Sequence, residues 1–414
     1  MLTERVRSHL WPIPALAAAA AVALALVLST VGRAGSGSWA VDPQAGRGLL
    51  QMLAGSSLTV VALVFSLHVV ALQLAASQYS PRLLRTYARD WAIQSSLAVL
   101  IGTFSFCLVT LATFGSGDET PQASLTLAVL LGLACVAALV GVVSHIVASL
   151  RVETMMAELH ADADRVISDW IGRPRVGAEP ALADVADLAG APALLRARRP
   201  GFVQAVDWER LARWAQGSGS RVRVDVVAGQ HVLDGDALAR VWGCEQSELD
   251  ETGMATAVLV GHERTPDQDP ALGLVQLVDI ALRALSPGIN DPTTALHAIG
   301  HLTSLLATLA SGATDTDLIT AGPDGSPRVW GAGRSLADFL LPTVHPVVRA
   351  AADDPDVLMA AAGLLGEVRS APGPVDTQAV DDTLDYVQRH ARSRVADDAD
   401  RARVESAIAA ARAR

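Results

Sequence analysis

Four stretches of this chain carry no Asp, Glu, Lys or Arg: between Arg7 and Arg33, Arg47 and Arg82, Asp90 and Asp118, and Glu119 and Arg151. Each can hold the roughly 20 apolar residues needed to cross a bilayer core of about 30 Å. Lipid offers no partners to backbone N–H and C=O groups, so these runs must bond internally and can only be helices. Spans are expected near 12–31, 49–77, 92–113 and 122–149, forming a transmembrane domain over 1–150. The first apolar core, Ile13 to Val31, exceeds a usual signal-peptide h-region, so it reads as a span. The second charge-free run covers 34 residues, about 50 Å of helix, and outruns a single bilayer.

Arginines between the spans orient the bundle. The 78–91 loop carries Arg82, Arg85 and Arg89 against Asp90, whereas the 114–121 loop carries only Asp118 and Glu119. The majority of loop cations therefore puts the N-terminus, the 78–91 loop and everything after 150 in the cytoplasm, with Arg33 and Arg47 mildly opposed. Arg82, Arg85 and Arg89 are candidate inner-surface cations, suited to lipid head groups or to an anion-attracting vestibule. Residues 1–149 hold seven Arg and five acids, which leaves 25 Arg against 38 acids beyond them. An acidic cytoplasmic part argues against nucleic acid as a partner and against lying flat on anionic lipid; the expected partners are the bilayer around the spans and further copies of the chain. Cys107, Cys135 and Cys244 suggest neither a disulfide framework nor a zinc site.

Beyond the spans, Arg151 to Trp170 has helical composition, and 151–200 reads as a helical stalk and connector. Strand signals then appear at Phe202–Val206 and in the alternating Arg221–Val227, and Val258–Val260 closes a small β-rich module over 201–262. Asp269-Pro270, Asp291-Pro292 and Asp354-Pro355 each place Asp at an N-cap and Pro at N1, so three helices start there. They form a helical subdomain over 263–370, in which the Gly-, Asp- and Pro-rich 311–333 reads as a loop. Residues 371–414 read as a charged helical tail. The expected fold class is an α-helical polytopic membrane protein with a C-terminal α+β cytoplasmic domain made of a small β module and a helical layer.

Three segments together resemble one family of predicted bacterial membrane proteins, the domain of unknown function 2254. They are Leu72-Gln73-Leu74-Ala75-Ala76-Ser77-Gln78-Tyr79-Ser80-Pro81-Arg82, then Gly201-Phe202-Val203-Gln204-Ala205-Val206-Asp207, and the run from Gln268-Asp269-Pro270 through Ser286-Pro287-Gly288-Ile289-Asn290-Asp291-Pro292-Thr293-Thr294-Ala295. The resemblance covers most of 10–345. It implies four spans, a cytoplasmic domain and a bacterial inner (plasma) membrane location, and it brings no activity with it.

Four constellations carry candidate function. In the first, Asp291 heads a helix whose free N–H groups, with the Thr293 and Thr294 hydroxyls, could hold an anion or a partner's carboxylate. Arg283, its i,i+4 partner Asp279, and Ser286 lie just before it. The plainer reading is architectural: a Pro-Gly turn, Asn290 (the only asparagine in the chain) in a left-handed conformation, and Asp291 as a cap. In the second, His297 and His301 share a helical face at a spacing that suits zinc, but no third ligand is placed by sequence and His345 is only a candidate neighbour. In the third, His68 and Gln73 in the second span, with Ser77, Gln78 and Ser80 at its inner mouth, suit either a pore lining in an oligomer or interhelical packing. The fourth is the arginine cluster already described.

Several enzyme classes are excluded by chemistry. All 32 basic residues are arginine, so a Walker A loop, a protein kinase and a Schiff-base enzyme are ruled out. No catalytic motif is found, and no cofactor is expected. Two functions remain open. One is a homo-oligomeric ion channel or small-solute transporter with a cytoplasmic assembly or gating domain. The other is a non-conducting membrane-anchored sensor or scaffold whose cytoplasmic domain binds a ligand or partner.

Overall fold

The computed structural model describes residues 11–31, 42–78, 91–113, 122–149, 151–172, 191–251, 254–312, 318–321 and 327–414. Contacts divide the chain into two compact units, Met1–Met155 and Met156–Arg414. Among the described residues of the first, four helices are long and apolar enough to cross a membrane. These are α1 (Pro12–Val31), α2 (Pro43–Gln78), α3 (Trp91–Thr113) and α4 (Gln122–Ser149). Residues 48–78 of the long charge-free run thus lie in one 36-residue helix, which begins at Pro43 and includes Arg47.

The third helix, α3, is the hub of this unit and packs against each of the other three. Its Leu100, Phe106 and Cys107 are fully buried. The approach to α1 is close because small residues meet: a Cβ on Gly102 would stand 3.7 Å from the Ala17 carbonyl oxygen and 3.9 Å from the Ala21 methyl. Small residues at the contact let helix backbones gain packing where lipid offers no hydrophobic drive. Two hydroxyls inside the bundle return to their own helix: Thr103 donates to the Val99 carbonyl at 2.7 Å and Ser96 to that of Ala92 at 2.8 Å. The outer faces of α2 and α4 expose Leu63, Phe65, Leu133 and Val140, as lipid-facing helices should.

The second unit contains nearly all of α5 (Val152–Ile171), then β1 (Ala193–Arg196), β2 (Gly201–Val206), α6 (Trp208–Ser218), β3 (Arg221–Val224), β4 (His231–Val232), β5 (Ala237–Trp242), α7 (Gln246–Glu251) and β6 (Val258–Gly261). After these come α8 (Pro270–Ala284), α9 (Pro292–Ser311), β7 (Leu318–Ala321), β8 (Pro327–Gly331), α10 (Ala337–Ala351), α11 (Pro355–Arg369), α12 (Thr377–Arg394) and α13 (Asp398–Ala413). The strands make a five-stranded sheet, β1-β5-β3-β8-β7, and a three-stranded sheet, β4-β2-β6. The pairs are antiparallel except β3 with β8, which is parallel. Valines 203, 206, 222, 224, 241, 258 and 329 from both sheets share one core with Leu211 and Ala215 of α6.

Two strands arise where the sequence suggests only a loop, in 311–333. Leu318-Ile319-Thr320 and Arg328-Val329-Trp330 are too short to be seen among their Gly, Asp and Pro neighbours. They become strands because β8 docks beside β3, with Val222 opposite Val329. Tertiary context decides such short runs. The three Asp-Pro sites do start α8, α9 and α11, each with the Asp side chain accepting from a backbone N–H of the first turn. Apolar stripes on α8 and α9, including Leu277, Ile280, Leu302 and Leu305, are buried in the helical layer. Within this layer α5 approaches α8 so closely that a Cβ on Gly273 would stand 2.4 Å from the Ala163 methyl.

Candidate functional site

Among the described residues of the second unit the most enclosed charge is Asp269, only 2% exposed. Its position follows from its capping role: one carboxylate oxygen accepts the Ala271 N–H at 3.1 Å and so opens α8. The other oxygen takes Arg264 at 2.6 Å. Arg334, in the turn between β8 and α10, approaches at 3.8 Å. Burial pushes the Asp269 carboxyl above the ordinary carboxylate range, with Arg264 and then Arg334 opposing that push. Burial likewise pulls Arg334 down, against the pull of Asp269 and Asp338. The Arg334 guanidinium lies 4.5 Å from the centre of the Phe339 ring, a cation–π contact.

A turn of the β module completes this cluster. Gly229 has φ +89°, and a Cβ there would fall 2.2 Å from an Asp269 carboxylate oxygen. Only glycine allows that turn to lie over the ion pair. Gln268 spends its amide on the Val206 backbone, accepting from its N–H and donating to its carbonyl, each at 3.1 Å. Beside these groups is a partly open cavity of about 30 Å³, lined by Trp170, Trp208, Gln268, Pro270 and Arg334 with valines of the β module. Trp208 reaches it because Gly331 leaves room for its ring.

Asp269 falls inside the third of the family-like segments, but it reads there only as a cap. Arg264, Arg334 and Trp208 have no sequence signal of their own. Arg334 is 65 positions away from Asp269 in sequence, and only the β7–β8 excursion brings it back.

The Ser286–Thr294 segment takes the architectural form. Asn290 has φ +50°, in the left-handed region. The N–H groups of Ile289 and Asn290 both donate to the Ser286 carbonyl, at 3.0 and 2.9 Å, and the Asp291 N–H donates to that of Ala284 at 2.8 Å. Asp291 accepts the Thr294 N–H at 3.1 Å and the Thr294 hydroxyl at 2.6 Å. Those bonds hold its carboxyl below the usual range. The Ser286 hydroxyl donates to the Arg283 carbonyl at 2.6 Å. Ile289, Asn290, Thr293 and Arg283 are exposed, and Asp279 is half-buried on α8.

The histidines separate. His301 meets His160 of α5, with ring centres 5.0 Å apart. His345 instead stacks on Tyr386 at 3.8 Å. His297 is exposed. No group of three potential metal ligands converges among the described residues. Burial, reinforced by His160 and His297, holds His301 below its ordinary value. Burial and the nearby Arg349 and Arg389 do the same to His345.

In the membrane unit, His68 is 4% exposed, while Gln73 is exposed. Five residues apart, they sit about 140° apart around α2. Ser77 and Gln78 end that helix, their side chains outside the described set; Ser80, Arg82, Arg85 and Arg89 lie outside the described residues.

Known proteins with similar sequences carry the same ambiguity of function. The chain is 30% identical to the uncharacterized proteins MT1328 of Mycobacterium tuberculosis (strain CDC 1551) and Mb1321c of Mycobacterium bovis, over 99% of this chain and 81% of each relative. The uncharacterized protein Rv1290c of Mycobacterium tuberculosis (strain H37Rv) matches equally. No solved structure matches. Residues 7–367 match the family described as "Predicted membrane protein (DUF2254)", and this chain, with its four apolar helices, belongs to that family.

Proposed function

We propose that this protein is a non-conducting, membrane-anchored binding protein. Its N-terminus and C-terminal unit face the cytoplasm of a bacterial inner membrane, and the C-terminal unit receives a ligand or partner. The observation that carries this reading is the contrast between the two units. In the membrane unit Thr103 and Ser96 return their hydroxyls to their own helix, and Cys135 donates to Thr103 at 3.2 Å. His68 is buried while Gln73 is exposed, so within one copy the two do not line one path. The C-terminal unit instead encloses Asp269, Arg264 and Arg334 beside a cavity. Even a paired buried charge is often no more stable than an apolar replacement, so such a cluster beside a cavity supports a binding role. The arginines of the 78–91 loop support the cytoplasmic side.

A homo-oligomeric channel or small-solute transporter is the second reading. It is favoured by Gln73, an exposed amide on the apolar α2, which an adjoining copy would satisfy. Ion flux through proteoliposomes of the purified protein separates the two. Anchoring predicts flux no greater than in empty vesicles; flux that scales with protein content overturns it.

A further inference from the structure

We infer that the cavity beside Asp269 is a binding site for a carboxylate group of a small molecule. This rests on the reading of the C-terminal unit as a ligand-binding domain and names the chemistry of its ligand.

The first argument is charge. Asp269 gives its close contact to Arg264, at 2.6 Å, and leaves Arg334 with a looser one at 3.8 Å. The Arg334 side chain is 17% exposed, and among the described residues its polar contacts are this ion pair and the Phe339 ring face. Neither is a hydrogen bond, so the planar N–H groups of a largely desolvated guanidinium remain available. That fork matches the two oxygens of a carboxylate. Asp338, the next acid, is held by the Ser335 N–H and hydroxyl at 2.8 and 2.9 Å, at the start of α10.

The second argument is an independent donor. Trp208 lines the same cavity, and its indole N–H is buried with no partner among the described residues. A buried N–H left unbonded costs roughly 1–3 kcal/mol, so an acceptor is expected there. The side-chain acceptors nearest these donors are already engaged: Gln268 with Val206, and the Asp269 oxygens with Ala271 and Arg264.

The third argument is size. About 30 Å³ is room for roughly two water-sized groups. A carboxylate brings two oxygens to the two donors and carries an apolar attachment, which a phosphate ion lacks. The remaining wall, with Trp170, Pro270, Val206, Val226 and Val227, suits an apolar attachment.

The test uses full-length protein in lipid nanodiscs, titrated with sodium acetate or sodium phosphate at ionic strength fixed by chloride, with heat of binding as the readout. Wild type is expected to bind acetate saturably and phosphate not at all. Trp208→Phe keeps the ring and removes the donor, and it should weaken acetate about tenfold. Arg334→Gln should abolish saturation, with Trp208→Phe as the check should Arg334→Gln unfold. Absence of saturable acetate binding, a preference for phosphate, or equal affinity in Trp208→Phe overturns the assignment. Failure here with flux-free vesicles removes only the carboxylate assignment. Flux with intact acetate binding removes only the non-conducting reading.

Discussion

Asn290 sits at φ +50° because the chain must reverse between α8 and α9 within a few residues, and an asparagine side chain tolerates the left-handed region. Asn290→Gly is therefore expected to be near neutral. Asn290→Ala should cost about 1 kcal/mol through the left-handed penalty, measured as a lower unfolding midpoint, with membrane insertion unchanged. This position is readable in the sequence: the Pro-Gly pair, a lone Asn and the Asp-Pro that follows each have one local role. Asp269 is only half readable. Its capping is a local rule, but its partners come from a turn before α8 and another after β8, so the buried charge cluster is a product of topology. Removing the carboxylate with Asp269→Ala leaves Arg264 and Arg334 facing each other. A loss of about 3 kcal/mol is expected, at the low end for a broken buried pair because both arginines keep some exposure. Unchanged thermal stability in that variant would remove the cluster from the account.

Among elements, α5 shows how a helix legible from composition can acquire a role that composition does not state. Its apolar side carries Met156, Leu159, Ala163, Ile167 and Trp170, all buried. Trp170 meets the Phe339 ring edge-on at 5.7 Å, and Ala163 lies against Gly273. Gly273→Ala gains about 1 kcal/mol in helix propensity but overpacks the α5–α8 contact by about 1–3 kcal/mol, so a net loss of stability is expected. The α5–α9 contact also carries a pH dependence. Burial, with His160 and His297, holds His301 below its ordinary value, and on α10 burial, with Arg349 and Arg389, does the same to His345. A histidine with a lowered folded value prefers to be neutral in the fold. Its contribution is present above the unfolded value near 6.5 and is lost as pH falls from there through the folded value. The unfolding midpoint should therefore drop as pH falls below about 6.5. His301→Gln with His345→Gln should flatten that slope; an unchanged slope would assign it to other groups. The strands β7 and β8 are the counterexample to legibility, since their order comes from pairing with β3 and no local pattern announces it.

At the scale of the whole molecule, the distribution of charge along the chain divides it in two. Four charge-free runs become four long helices, and an acidic remainder becomes a mixed α/β unit. Which side of the membrane that unit occupies rests on the arginines of the 78–91 loop. Cysteine labelling in intact cells tests it most directly. In a background with Cys107, Cys135 and Cys244 replaced by Ala, single cysteines are placed at Ser116 and at Arg414, and a membrane-impermeant maleimide is added from outside. Labelling of Ser116→Cys in intact cells, with Arg414→Cys labelled only after permeabilisation, is the predicted result. Labelling of Arg414→Cys in intact cells would put the Asp269 unit outside and contradict the account.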